Sequence, residues 1–277
     1  MECKIIADSS CELTAEMKKS MGIEIVPLTL RLEDKEYIDD DRLDVLQYIK
    51  DMKECKTPPK TSCPSPAAFL NKFETDKSIF VVTLSSKISG TYQSAVTAKN
   101  IFTEKSKNYI HVFDSMSASV GETLTCMKIN ELAKRGMNED EITRNVNEYI
   151  SSMKTYFLLE NLEHLAKSGR ISHLIAKVAS VLDLKLIMGS NGEGGIRLVE
   201  KVRGYRKAFN RFLDACSESG VKLEEKILGI AHCNCPDRAL KFKEEVKKRY
   251  NFKDIIIVEM SGLTSSYADE GGMVIAF

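Results

Sequence analysis

Three short apolar runs, CKIIA (3–7), SIFVVTL (78–84) and YIHVF (109–113), constrain this chain more than any other feature, because each is followed by a segment of helical pattern. The runs are too short for buried helices, and they do not alternate polar with apolar. They read as strands covered on both faces, as in a parallel sheet. Helical patterns follow at 14–20, 91–103, 118–134 and 139–153. Strand and helix in alternation, joined by right-handed crossovers, describe an α/β layer with helices on both faces.

Other N-terminal segments fit around this layer. IEIVPLTLRL (23–32) reads as one extended run. A helix is expected at 43–54, with Leu43, Leu46, Ile49 and Met52 on its inner face. After the breaker-rich KTPPKTSCPSPAAF (56–69), Ser65 and Pro66 form a helix start, and that helix is expected to reach Glu74. The second half is mixed. YFLLE (156–160) is extended, a short helix in 161–172 closes at Gly169, and 173–182 reads as helical. LKLIMG (184–189) and IRLVEKV (196–202), joined by SNGEGG, form a hairpin and so antiparallel pairing. A helix at 205–218, strand 226–232, helix 236–249, strand 254–259 and strand 273–277 follow. The expected fold is two-domain α/β. Residues 1–155 form a mostly parallel sheet flanked by helices, and 156–277 form an α/β domain with a mixed sheet.

Composition narrows the function. Lys plus Arg and Asp plus Glu balance at 40 each, so the basic excess of a nucleic-acid binder is absent. No apolar stretch is long enough to span a membrane. The start, MECKIIADSS, lacks the basic segment and apolar core of a secretion signal, and the eight cysteines show no disulfide spacing. Reduced thiols in a cytoplasm are the expectation.

Small hydroxyl residues gather at strand–helix junctions: Asp8-Ser9-Ser10, Thr61-Ser62, LSSKISGTYQSA (84–95) and DSMSAS (114–119). In open parallel sheets such positions converge outside the carboxyl ends of the strands. Helix N-termini there favour an anion. The same residues are ordinary helix caps, and Asp8 and Asp114 read as loop-holding groups. A phosphate loop would need GxxxxGK[ST], which is missing. A hydroxyl-only cradle suits a carboxyl group better than a phosphate. A nucleophilic serine would need a base among His111, His164, His173 and His232, and no GxSxG surrounds any serine. His232-Cys233-Asn234-Cys235 lacks a second donor pair at zinc spacing, so no metal is expected.

Taken together, ADSS (7–10), TSCPSP (61–66), LSSKISGTYQSA, DSMSAS, LENLEHLAKSGRIS (159–172), KVRGYRKA (201–208) and SGLTSSYADEGGMVIAF (261–277) resemble the DegV family from end to end. The resemblance implies a non-catalytic protein that binds a long-chain fatty acid. The acyl chain would lie in a tunnel of the C-terminal domain, and the carboxyl group between the domains. Relatives resemble carrier subunits that present the acid to an ATP-dependent fatty acid kinase serving phospholipid synthesis. Carried over, Thr61 and Ser94 are the expected carboxyl ligands, Ser62 and Ser89 their neighbours, and Arg170 the arginine of the G-R-I-S turn. Arg203 and Arg206 are the expected kinase-facing residues. No cofactor is implied; transient membrane contact without a membrane segment stays open. This chain departs from the family at Cys63, where glutamine is frequent, at Tyr267, where a histidine usually stands, and at Asp269-Glu270-Gly271, which replaces GPG. The runs in 178–188 read as tunnel lining or plain core. A serine-dependent hydrolase of acyl or phosphoryl esters, or a lipid-sensing regulator, are the alternatives.

Overall fold

A computed structural model of the chain describes residues 2–172, 174–175, 183–217 and 220–277. In chain order the strands are β1 (Cys3–Asp8), β2 (Glu24–Val26), β3 (Thr29–Leu32), β4 (Lys35–Ile38), β5 (Lys60–Ser62), β6 (Ser78–Thr83), β7 (Ile110–Asp114), β8 (Thr155–Leu158), β9 (Leu184–Ser190), β10 (Ile196–Arg203), β11 (Ile227–His232), β12 (Asp254–Glu259) and β13 (Met273–Ala276).

The three apolar runs pair as the sequence implies. β2-β1-β6-β7 is a four-stranded, wholly parallel sheet. β1 therefore has β2 on one side and β6 on the other. The chain leaves it in opposite directions there, which opens a crevice at the carboxyl ends of β1 and β6. The second half forms a six-stranded mixed sheet, β10-β9-β8-β13-β11-β12. The expected hairpin is its outer pair, β9 antiparallel to β10. The helix Val120–Lys134 lies between the two large sheets. Its first turns are buried all round, which explains their weak polar face. Val120 packs so closely on β11 that a Cβ at Gly229 would overlap its side chain.

Capping follows local chemistry. The Thr14, Asp44 and Asn138 side chains accept from Met17 N, Gln47 N and Glu141 N, and Asn138 with Glu141 completes a capping box.

Four expectations need correction. IEIVPLTLRL is not one strand. Pro27 has no N–H to give a ladder, and on either side of it β2 joins the parallel sheet while β3 joins a third, antiparallel sheet, β4-β3-β5. That sheet went unread because KEYI and KTS are short and polar. The helix expected at 43–54 spans Val45–Glu54, and its buried face is Tyr48, Ile49 and Met52; Leu46 is 52% exposed. The helix after Ser65 ends at Leu70, with Asn71 as its C-cap. Finally, SGLTSSYA contains a helix, Gly262–Ala268, where no element was expected. Most of the helical pattern at 173–182, and residues 178–182 of the 178–188 segment, lie outside the described residues.

Candidate functional site

Between the crevice of the parallel sheet and the face of the mixed sheet lies a cavity. Leu28, Phe157, Leu159, Leu165, Ile196, Leu263 and Val274 give it an apolar wall. Its polar groups are mostly hydroxyls. Ser10, Ser89, Ser117 and Ser119 come from the loops after β1, β6 and β7, and Thr61 comes from β5. The junction clusters thus meet around one space.

Thr61 and Tyr267 meet on its wall, the Thr61 Oγ1 and the Tyr267 phenol oxygen hydrogen-bonded at 2.7 Å. Arg170 lines the same region. Its guanidinium lies 5.8 Å from the centre of the Tyr267 ring, Nε donates to the Ile88 carbonyl at 3.0 Å, and Nη1 donates to the Ser168 carbonyl at 2.9 Å. Ser89 lines the cavity too, its hydroxyl 2.9 Å from that of Thr91.

The other expected residues sit elsewhere. Successive residues of a strand point to opposite faces, so with Thr61 turned inward its neighbour Ser62 is exposed. Ser94 is buried but does not line the cavity. Its hydroxyl donates to the Pro64 carbonyl at 2.5 Å and holds the chain just after β5. Arg203 and Arg206 are exposed at the end of β10 and the start of the following helix, away from the cavity.

Sequence reasoning missed the helix that carries Tyr267. Its N-terminus is held from the other half of the chain: Asp39 accepts from Gly262 N at 2.8 Å and Leu263 N at 3.0 Å. The Tyr48 phenol meets Ser266 Oγ at 2.7 Å. The available signal was Ser261, which caps the helix by accepting from Thr264 N. Thr155 was also missed; its hydroxyl pairs with that of Ser117 at 2.7 Å.

Asp8 bridges the crevice, accepting from Ser10 N at 2.9 Å and Leu84 N at 2.8 Å. Asp114 likewise accepts from Ser86 N and Met116 N. Behind the hydroxyl wall, four carboxyl groups are buried: Asp8, Glu12, Asp39 and Glu122. Burial disfavours their charged forms. It pushes Asp8 up to about 7, Glu12 up to about 8 and Asp39 up to about 6, and it raises Glu122 well above the ordinary carboxyl range.

Among the described residues no serine hydroxyl is hydrogen-bonded to a histidine ring. His164 Nδ1 lies 3.0 Å from the Ser266 carbonyl oxygen. His232 Nδ1 accepts from Cys235 N, and His111 packs on Phe113. His173 lies outside the described residues. Among them, too, no three His, Cys, Asp or Glu side chains are grouped to hold a metal ion.

Comparison with known proteins places this chain in a family. The model of the DegV family, described as uncharacterised proteins, matches residues 2–277. The chain belongs to the DegV family. A DegV domain-containing protein of Streptococcus gordonii is 32% identical over 280 residues, which cover 100% of this chain and 99% of that one. A DegV-family crystal structure from Ruminococcus gnavus, refined with vaccenic acid, superposes with a TM-score of 0.95 at 42% identity, covering 99% of each chain. The Streptococcus pneumoniae fatty acid kinase B3 protein, loaded with linoleic acid, superposes with a TM-score of 0.92 at 31% identity, covering 100% of this chain and 99% of the other. The mixed α/β architecture, one parallel and one mixed sheet, is therefore the DegV fold.

Proposed function

We propose that this protein binds a long-chain fatty acid and presents it to a separate fatty acid kinase. The observation that carries the reading is one apolar cavity whose polar end combines the Thr61 and Tyr267 hydroxyls with the Arg170 guanidinium. Hydroxyls serve a carboxyl group in either protonation state, and the arginine supplies charge to its ionised form. Burying the chain contributes ~0.8 kcal/mol per methylene, on the order of 10 kcal/mol for a long acid before association costs. The head group therefore has only to fix orientation. In this reading Thr61, Tyr267, Arg170 and Ser89 touch the carboxyl group, and Ser94 sets the end of β5 from behind. We place the break between the two domains just before β8, ahead of Thr155 rather than after it, and the acyl tail lies against the mixed sheet.

The carrier role is supported by the likeness to the fatty acid kinase B3 protein. Exposed Arg203 and Arg206 are the residues we assign to the kinase-facing surface. All eight cysteines are free, which suits a reducing cytoplasm; among the described residues no helix is long and apolar enough to cross a membrane. Denaturing extraction followed by mass spectrometry is expected to release a long-chain acid from the purified protein. Lipid-free protein that also fails to take up labelled fatty acid would overturn the reading.

A further inference from the structure

The contacts that close the cavity are not equivalent. The Tyr267 helix is held by Asp39, Tyr48 and Thr61 together, so moving it breaks all of these bonds. The turn 191–195 between β9 and β10 is held differently. Gly194 and Gly195 line the cavity while Asn191, Gly192 and Glu193 face solvent. Among the described residues, a single hydrogen bond ties this turn to the opposite wall: the fully buried Ser85 hydroxyl donates to the Gly194 carbonyl at 2.8 Å.

Three features suit the turn to movement as one piece. It is braced internally, because Asn191 Oδ1 accepts from both Glu193 N and Gly195 N, and Asn191 N donates to the Gly195 carbonyl. Among the described residues β10 is the edge strand of its sheet, with β9 alone beside it. The β9–β10 register also shifts between Leu198 and Glu200, a bulge at which the hairpin can bend. Where the turn meets the wall there is no room for a side chain. Gly194 has φ 86°, and a Cβ there would overlap Ser85 Oγ and come within 3.3 Å of Met116 Cα.

We propose that the 191–195 turn is the movable wall past which the acyl chain enters and leaves, and that Ser85 is its latch. The ligand's identity rests on the fatty-acid reading above; the latch does not. Displacing the turn costs one side-chain hydrogen bond and leaves the polar end of the cavity intact. Ser85 is thus a positioning residue that governs exchange rather than affinity.

The test measures association and displacement of the fluorescent long-chain acid cis-parinaric acid by stopped flow, on wild type, Ser85→Ala, Gly194→Ala and the double variant. Ser85→Ala is expected to raise both rates about fivefold, the value of one ordinary hydrogen bond, with Kd within twofold. Gly194→Ala is expected to accelerate exchange further. Its effect shrinks in the Ser85→Ala background, where the overlapping hydroxyl is gone. Unchanged rates, or rates that change only as Kd changes, overturn the latch. Amide hydrogen exchange at 192–195 is read on the same proteins without ligand. It is expected to be faster in Ser85→Ala, with β11 unaffected. If wild type takes up no parinaric acid, the fatty-acid reading falls and this second measurement alone decides the latch, equal exchange in both proteins overturning it.

Discussion

Replacing Asp39 by alanine tests how the Tyr267 helix is anchored, and pH separates the two effects that Asp39 has. The carboxyl accepts from Gly262 N and Leu263 N in a buried site. Orphaning two such N–H groups costs about 1–2 kcal/mol each, roughly 3 kcal/mol together. Against this, burial holds the group at about 6 instead of its ordinary 3.8. Ionising it in the fold therefore costs about 3 kcal/mol more than ionising it in the unfolded chain. The stability this group contributes is fully present below pH 3.8 and is lost as pH rises through about 6. About half of the ionisation cost is felt at pH 5 and all of it at pH 8. Alanine abolishes that cost, so Asp39→Ala is expected to destabilise by about 1.5 kcal/mol at pH 5 and by close to nothing at pH 8. Urea unfolding of wild type and variant at the two pH values reads the difference directly. Asp39→Asn keeps one acceptor and carries no charge, and its stability relative to Asp39→Ala is expected not to vary with pH. Because the same helix carries Tyr267, parinaric acid should bind Asp39→Ala more weakly at both pH values. A variant equally or more destabilised at pH 8 would refute the account of Asp39 as a buried, reluctantly charged cap.

Two further outcomes follow from the geometry. Thr61→Ala and Tyr267→Phe each remove one side of a 2.7 Å hydroxyl pair, so each should weaken fatty-acid binding about fivefold to tenfold, with the double variant losing less than the product; a titration showing no loss in either single variant contradicts their role at the head group. Gly229→Ala places a methyl group into the Val120 side chain and should lower stability by about 1–3 kcal/mol in urea unfolding; an unchanged midpoint would mean that the helix Val120–Lys134 does not press on β11 as described.

The sequence made the large layers legible because their signal is local. Buried parallel strands such as SIFVVTL are continuous apolar runs, and the SNGEGG turn announces its hairpin. The hydroxyl clusters pointed correctly to one crevice, since parallel topology brings every strand's carboxyl end to the same side. What stayed hidden depends on distant partners. Thr61 faces the cavity because β5 pairs with β3, thirty residues earlier in the chain, register by register from Thr29↔Ser62. The Tyr267 helix has only seven residues and is held by Asp39 and Tyr48, so no periodicity in SGLTSSYA could reveal it. Ser94 illustrates the converse. Its place in GTYQS marks the right neighbourhood, yet only the structure shows its hydroxyl turned to Pro64 rather than into the cavity.

The third sheet has a consequence for how the whole chain holds together. Thr61 stands on the antiparallel sheet, Ser89 follows the parallel one, and Tyr267 precedes the last strand of the mixed one. A molecule seated among them is a rivet through three otherwise separate ladders. Unfolding any one of the ladders must first release it. Apparent stability then rises with free ligand as RT ln(1 + [L]/Kd), about 2.7 kcal/mol at a hundredfold excess over Kd. On the fatty-acid reading proposed above, the melting temperature of this protein, taken straight from cells, becomes a gauge of how much fatty acid those cells had to spare.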